Sequence, residues 1–338
     1  MEGRYRLIGA VPSPYSVKMR AIMRYRRLPF DWVLRTPEVL EETANIKPAI
    51  IPILQFPEDG SYHVDSTPLA FELEARHPGA RSILPDDPSH AFLCYLLEDM
   101  ADEWGTKMMF HYRWAYKPDQ DFCSLWVTRD SMGPADNQTR DQRAQVFADR
   151  QIGRMAMVGS TPENMPLIEE TYLRVLDILE EHFGTHPFLF GDRPSLADFG
   201  WHGQLFQLMV DPTPSAIMRE RAPGVMQWVM RLDDASGVEG DWIDPSQPLP
   251  RAIEQLLQLA GDVYLPFLEA NAAAFEAGSD TMEFEAFGKP YSQGVFKYQV
   301  SRCLGALRAQ LAALEGPALS RTQEVLRTTG CWQALHPA

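Results

Sequence analysis

Apolar and polar positions change rhythm along this chain, and the changes divide it. Arg4–Ala10 ("RYRLIGA") is a short apolar run that predicts a strand, Ser16–Arg27 has helical spacing with an Arg-rich face, and Phe30–Arg35 ("FDWVLR") predicts a second strand. After a loop-like stretch to Ile50, Ile50–Phe56 ("IIPILQF"), the turn Pro57–Gly60 and Ser61–Ser66 ("SYHVDS") have the form of an antiparallel hairpin. A helix over Pro68–Arg76 follows, ended by His77-Pro78-Gly79. The order βαβ–ββα closes at the Pro-rich stretch Ile83–Pro88.

Beyond that stretch the period is helical. Helices are expected over roughly 89–116, 139–157, 163–183, 195–210, 215–233, 250–275 and 294–314, with Gly237–Pro250 as a second linker. Glu283–Leu314 reads as a turn joined to an amphipathic helix, whose apolar face needs cover from the helical region or from a second subunit. The expected organisation is α+β in three parts: an α/β domain over 1–84, an all-helical domain over 89–236 and a mainly helical extension over 241–338.

Composition narrows the functional classes. The 338 residues are 45% hydrophobic and 23% charged, which suits a globular protein with sizeable cores. The net charge of −15 is uneven: residues 1–80 carry 10 Lys/Arg against 10 Asp/Glu, and the remainder carries the acidic excess. No basic face is available to neutralise phosphates, so nucleic acid is excluded as a partner. No window approaches the roughly 20 apolar residues of a membrane span, and no secretory signal pattern opens the chain. Cys94, Cys123, Cys303 and Cys331 are scattered without Cys-x-x-Cys or metal-ligand spacing. That usage predicts reduced thiols and a cytoplasmic location. His182 and His186 are four apart, but Gly184 and Pro187 interrupt the helix, so no metal site is expected.

The first candidate for chemistry is "VPSPYSVK" (Val11–Lys18), where Ser13-Pro14-Tyr15-Ser16 has the form of a Cys-Pro-Tyr-Cys redox motif with both sulfurs replaced by oxygen. Ser13 suits a helix N-cap and Pro14 the first helical position. A hydroxyl there can also donate to an anion that the helix terminus favours. Ile51-Pro52 precedes a strand, where a cis proline directs the backbone of Ile51 at a peptide-like ligand. Asp65-Ser66 begins a helix, a placement that matches a ligand's ammonium with a carboxylate and its α-carboxylate with a hydroxyl and helix N–H groups. In "PFLFGDRPSLADFGWHGQL" (Pro187–Leu205), Ser195 and Asp198 have capping-box spacing.

Together these features resemble the cytosolic glutathione transferase superfamily, over residues 4 to about 235. The resemblance is carried most specifically by "FLFGDRPSLADF", similar to that superfamily's buried N-capping motif. It implies a thioredoxin-like N-terminal domain followed by an all-helical C-terminal domain, with glutathione as co-substrate, no metal, and a homodimer as the assembly. By similarity, Ser13 contacts the glutathione sulfur, Ile51 and Pro52 meet the cysteinyl backbone, and Asp65 and Ser66 hold the γ-glutamyl end. Ser195 and Asp198 are structural. A polar residue that holds the glycine carboxylate in many relatives is replaced here by Ile50, so Lys47 or Lys18 would have to compensate.

Under this reading the thiol arrives with the ligand. A free thiol has a pKa of about 8.5, which a hydroxyl donor and a helix N-terminus lower. With serine at both positions no mixed disulfide can form there, leaving conjugation, addition, displacement or isomerisation. On the helix containing "EDMADEWGTKMMFHYRW" (Glu98–Trp114), Trp104, Met108 and His111 share a face and form the expected pocket for a small hydrophobic electrophile. Tyr15, in the first helical turn, is read as a packing residue at that pocket. Two function classes follow: a glutathione-dependent transferase acting through Ser13, and, as the alternative, a non-catalytic binding or assembly module on the same fold.

Overall fold

The computed structural model describes residues 3–79, 81–132 and 134–336. Its N-terminal part contains β1 (Tyr5–Gly9), α1 (Pro14–Tyr25), β2 (Phe30–Leu34), α2 (Pro37–Glu42), β3 (Ile53–Gln55), β4 (Tyr62–Val64) and α3 (Ser66–Arg76). The sheet order is β2-β1-β3-β4, with β1 parallel to β2 and the other pairs antiparallel. Leu7 of β1 stands opposite Trp32 on one side and Leu54 on the other. Burial on both faces explains the unbroken apolar run of this strand, since Leu7 and Ile8 have no exposed surface. The short α2 lies in the stretch expected to be a loop; Thr36 caps it and Pro37 opens it.

The helical part begins with α4 (Pro88–Met100), which passes through a π turn at Ala101–Gly105 into α5 (Thr106–Ala115). It continues with α6 (Lys117–Met132), α7 (Asn137–Ile152), α8 (Met165–Phe183), α9 (Leu196–Val210), α10 (Pro212–Arg221) and α11 (Pro223–Leu232). The expected single helix over 215–233 is two helices, because Ala222 takes φ −143 before Pro223 and cannot remain helical. α6 fills a stretch to which no helix was assigned. The expected capping box does form: Asp198 accepts from Ser195 N at 2.9 Å and from Leu189 N at 3.0 Å. Burial pushes the Asp198 carboxyl up to about 6, against those hydrogen bonds.

α1 and α9 meet at very short range. A Cβ on Gly203 of α9 would lie 2.6 Å from the Pro14 carbonyl oxygen, so only glycine allows this approach. The Ser13 loop is thereby set directly against the helical region.

The C-terminal segment contains α12 (Arg251–Leu259), a π turn at Ala260–Tyr264, α13 (Leu265–Glu276), β5 (Thr281–Ala286), β6 (Lys289–Gly294), a second π turn at Gln299–Leu304, α14 (Gly305–Ala312), α15 (Gly316–Thr328) and α16 (Trp332–Leu335). The expected turn before the amphipathic helix is a full β-hairpin. Phe287 and Gly288 have φ 52 and 67, the paired positive values of a tight two-residue connection. Met282 and Ala286 face inward at period two, as does Tyr291 on the returning strand. One hydrophobic core runs from the sheet through α4 and α9 to α13 and this hairpin.

Candidate functional site

The site is assembled around the N-terminus of α3. Asp65, which precedes it, has φ 79 and ψ 112, an uncommon conformation for a residue with a Cβ. Its carboxylate makes no capping bond to the helix and instead accepts from Arg302 at 3.0 Å. Ser66 opens the helix and is buried. Together with Thr67, Ile50 and Ile51 these residues line a cavity of about 560 Å³. The Ile51–Pro52 peptide is cis, as expected. The lining also includes Tyr15 from α1, Asp102 and Glu103 from the π turn between α4 and α5, and Tyr298 and Arg302 from the C-terminal segment.

Beneath the cavity is a buried charge cluster. Lys18 of α1 has no exposed surface and donates to Glu98, to Asp102 Oδ2 at 2.6 Å, and to Ser66 Oγ and Thr67 Oγ1 at 3.4 and 3.3 Å. Thr67 also donates to Glu98 Oε1 at 2.7 Å. Burial opposes the Lys18 charge, but Asp102 and Glu98 outweigh it and hold the ammonium above its ordinary pKa. One lysine cannot balance two carboxylates. Burial first, and then the Asp102 charge, pushes Glu98 up to about 7 despite Lys18, and burial raises Asp102 as well. These groups fix the first turn of α3 to both α1 and α4.

Ser13 takes the cap position of α1, where its Oγ accepts from Ser16 N at 3.3 Å and from Ser16 Oγ at 3.1 Å. It is half-buried and lies outside the residues that line the cavity, whereas Tyr15, two positions later, is among them. The loop before it is held from the helical part: Asp130 accepts from Val11 N at 2.9 Å, Gln207 donates to Val11 O at 3.0 Å, and Arg113 donates to Pro12 O at 2.9 Å. Arg113 is itself buried and paired with Asp211 at 2.8 Å.

The electrophile face expected on α5 is placed elsewhere. Trp104 and Met108 are fully buried, with Trp104 against Phe267, Phe284 and Tyr291 at centroid distances of 5.4, 6.0 and 5.3 Å. His111 is buried and pairs with Ser160 Oγ at 2.8 Å and Glu169 at 3.3 Å. None of the three lines the cavity; their helical stripe is real, but the C-terminal segment and α8 cover it. Of the four residues assigned to that pocket only Tyr15 meets the cavity, its hydroxyl donating to Asp102 O at 3.0 Å and pairing with Thr106 Oγ1 at 2.9 Å. Burial keeps this phenol well above its ordinary pKa, so it remains a protonated donor.

The two lysines proposed to replace the polar residue at position 50 also separate. Lys18 is committed to its buried pairs, while Lys47 is exposed and lines a neighbouring cavity of about 680 Å³ with Asp65 and Arg302. Asp102 and Glu98 escaped the sequence reading, which gave Lys18 a different role, although a signal existed: Glu98 and Asp102 stand four apart on an otherwise apolar helix face. Arg302 offered no such signal.

The cavity can accept an ammonium at its carboxylates and a carboxylate at Ser66 and the α3 terminus. It cannot supply a thiolate of its own. All four cysteines are free and buried; burial pushes Cys94 and Cys331 up to about 12 and shifts Cys123 and Cys303 in the same direction.

Two parts of the chain match known families. The family described as glutathione S-transferase, N-terminal domain, matches residues 7–81, and the glutathione S-transferase C-terminal domain matches residues 143–231. No curated protein sequence matches the chain. Among solved structures, a glutathione S-transferase of Methylobacterium radiotolerans in complex with glutathione sulfonate is 21% identical over 73% of this chain and 100% of its own, with a TM-score of 0.44. A beta-etherase of Sphingobium sp. strain SYK-6 is 19% identical over 75% of this chain and 99% of its own, at 0.46. With both domains matched in order, and the cap motif and four-stranded sheet in their places, the chain belongs to the glutathione S-transferase superfamily.

Proposed function

We propose that this protein is a glutathione-dependent transferase, and that the cavity at the α3 N-terminus receives the tripeptide. One observation carries the reading: Ile51, Asp65 and Ser66, assigned from sequence to glutathione's cysteinyl backbone and γ-glutamyl end, line a single cavity. The cysteinyl sulfur then falls toward the N-terminus of α1, where the Ser13 hydroxyl and the helix end stabilise the thiolate after its proton leaves to solvent. The thiolate lone pair forms a carbon–sulfur bond with an apolar electrophile, whose leaving group departs or whose double bond takes up the electrons. Contact with that electrophile falls to Tyr15 and Tyr298, the aromatic side chains of the cavity. We place this activity in the cytoplasm, in a homodimer, on the free cysteines and the family membership.

The alternative, a non-catalytic binding module, is favoured by Ser13 itself, whose hydroxyl is engaged as a cap outside the cavity lining. Ultraviolet titration of the protein–glutathione complex separates the two. The transferase reading expects the bound thiol to ionise at least one unit below the free value of about 8.5. An unshifted thiol in a complex that does form would leave the binding module.

A further inference from the structure

Arg302 is the one cationic side chain among the residues that line the central cavity. It stands on the π turn Gln299–Leu304, well beyond both segments matched to the family. Its guanidinium donates to Asp65 Oδ2 at 3.0 Å, and the turn is tied to the π turn between α4 and α5 by Tyr298 and Gln299, which donate to Glu103 Oε2 at 2.8 and 2.7 Å. Asp102 lines the same cavity; it is 6% exposed, and its Oδ1 has no hydrogen-bond partner among the described residues.

These charges have a definite complement. An arginine–aspartate pair is a short dipole, and it is matched by a second dipole laid antiparallel, with a cation beside the aspartate and an anion beside the guanidinium. The amino-acid end of a peptide-like ligand is such a group, because ammonium and carboxylate share one carbon. The guanidinium fork can keep one N–H on Asp65 while presenting others to the carboxylate. Ser66 and the α3 N–H groups lie at the same corner and add donors. The unpartnered Asp102 Oδ1 supplies a second acceptor for the ammonium. Without Arg302, Asp65, Asp102 and Glu103 would leave the cavity's lining purely acidic, which disfavours a ligand that brings two carboxylates.

We propose that Arg302 anchors the α-carboxylate of the ligand's amino-acid end while Asp65 and Asp102 take its ammonium, which makes the C-terminal segment a wall of the binding site. The proposal rests on the reading that this cavity receives glutathione. Calorimetric titration of the full-length wild type and Arg302→Ala with two ligands tests it: glutathione, and 4-aminobutyryl-cysteinyl-glycine, which lacks only the γ-glutamyl α-carboxylate. Arg302→Ala is expected to weaken glutathione by about tenfold, one charge-assisted hydrogen bond's worth, and to bind the analogue as the wild type does. Equal glutathione affinity in the two proteins overturns the anchor. Tighter binding by the variant also overturns it, marking Arg302 as a competitor for Asp65, and equal losses for both ligands place the arginine elsewhere on the tripeptide. A wild type that binds no glutathione removes the underlying reading of the cavity instead. Thermal melts of both proteins verify that the variant is folded.

Discussion

Two sets of charges grip the same first turn of α3, and they differ chiefly in how much water they see. Below the cavity, Lys18 and Glu98 have fully buried side chains and Asp102 is only slightly exposed. Above it, Arg302 and Asp65 have side chains 62% and 31% exposed. The ion-pair distances are comparable, but the consequences are not. In the buried set each partner is held at the cost of desolvation, and removing one strands the rest. In the exposed set, water can replace either partner, so the pair is adjustable. The lower set therefore builds the site, and the upper set is available to a ligand.

Replacing Lys18 sharpens that contrast most. Lys18→Met leaves Glu98 and Asp102 buried without a counter-charge and should lower stability by about 3–5 kcal/mol, measured by urea unfolding at pH 7. The sign of its pH dependence follows from the carboxyls. Glu98 ionises near 7 when folded and near 4.3 when unfolded, so its contribution to stability is full below about 4.3 and is lost as pH rises through 7. Without Lys18 both carboxyls ionise later still, and the penalty is small while they stay protonated. The stability gap between wild type and Lys18→Met should therefore widen from pH 5 to pH 8; a constant gap would mean that the pairs count for little.

Asp65→Ala comes next. If the carboxylate meets a poorly hydrated ammonium, glutathione binding should weaken by roughly 2 kcal/mol, about thirtyfold, in calorimetry. Equal dissociation constants would remove Asp65 from the site and leave the strained turn at φ 79 without a ligand role. Ser13→Ala is smaller and of a different kind. It should raise the pKa of bound glutathione by about one unit, near 1.4 kcal/mol, and slow conjugation at neutral pH about tenfold with affinity nearly unchanged. A loss of about 1 kcal/mol of stability with an unmoved thiol pKa would make Ser13 a helix cap alone.

How much of this could be read from the chain depends on the range of the interaction. Ser13-Pro14, the Pro57–Gly60 turn and the Ser195/Asp198 box are local devices, and each appears in the structure within a few residues of its expected place. The stripe Trp104–Met108–His111 was also legible as an apolar face, but periodicity does not say what covers a face. Here Phe267, Phe284 and Tyr291 cover its tryptophan, partly from a hairpin that reads as a turn in the sequence. The α3 corner lies further beyond local reading. Lys18 and Glu98 are 80 residues apart, and Asp65 and Arg302 are 237 apart. Only the fold brings them together, although three charges on faces otherwise apolar marked the buried set as needing partners.

The smallest expected effect is also the one that decides what the upper set is for. An exposed ion pair contributes about 0–1 kcal/mol, because screening and side-chain ordering offset most of the attraction. Arg302→Ala should therefore change unfolding stability by less than about 0.5 kcal/mol, an order of magnitude below Lys18→Met in the same assay. A small value would show that the arginine's contact with Asp65 is not needed to hold the C-terminal segment in place, since Trp104 and Phe267 already join that segment to the common core. Any tenfold loss of glutathione affinity in the same variant would then come from the cavity and not from a loosened fold. A stability loss of 2 kcal/mol or more would break the comparison: Arg302 would be a structural strut like Lys18, and its position beside Asp65 would no longer single it out as a ligand contact.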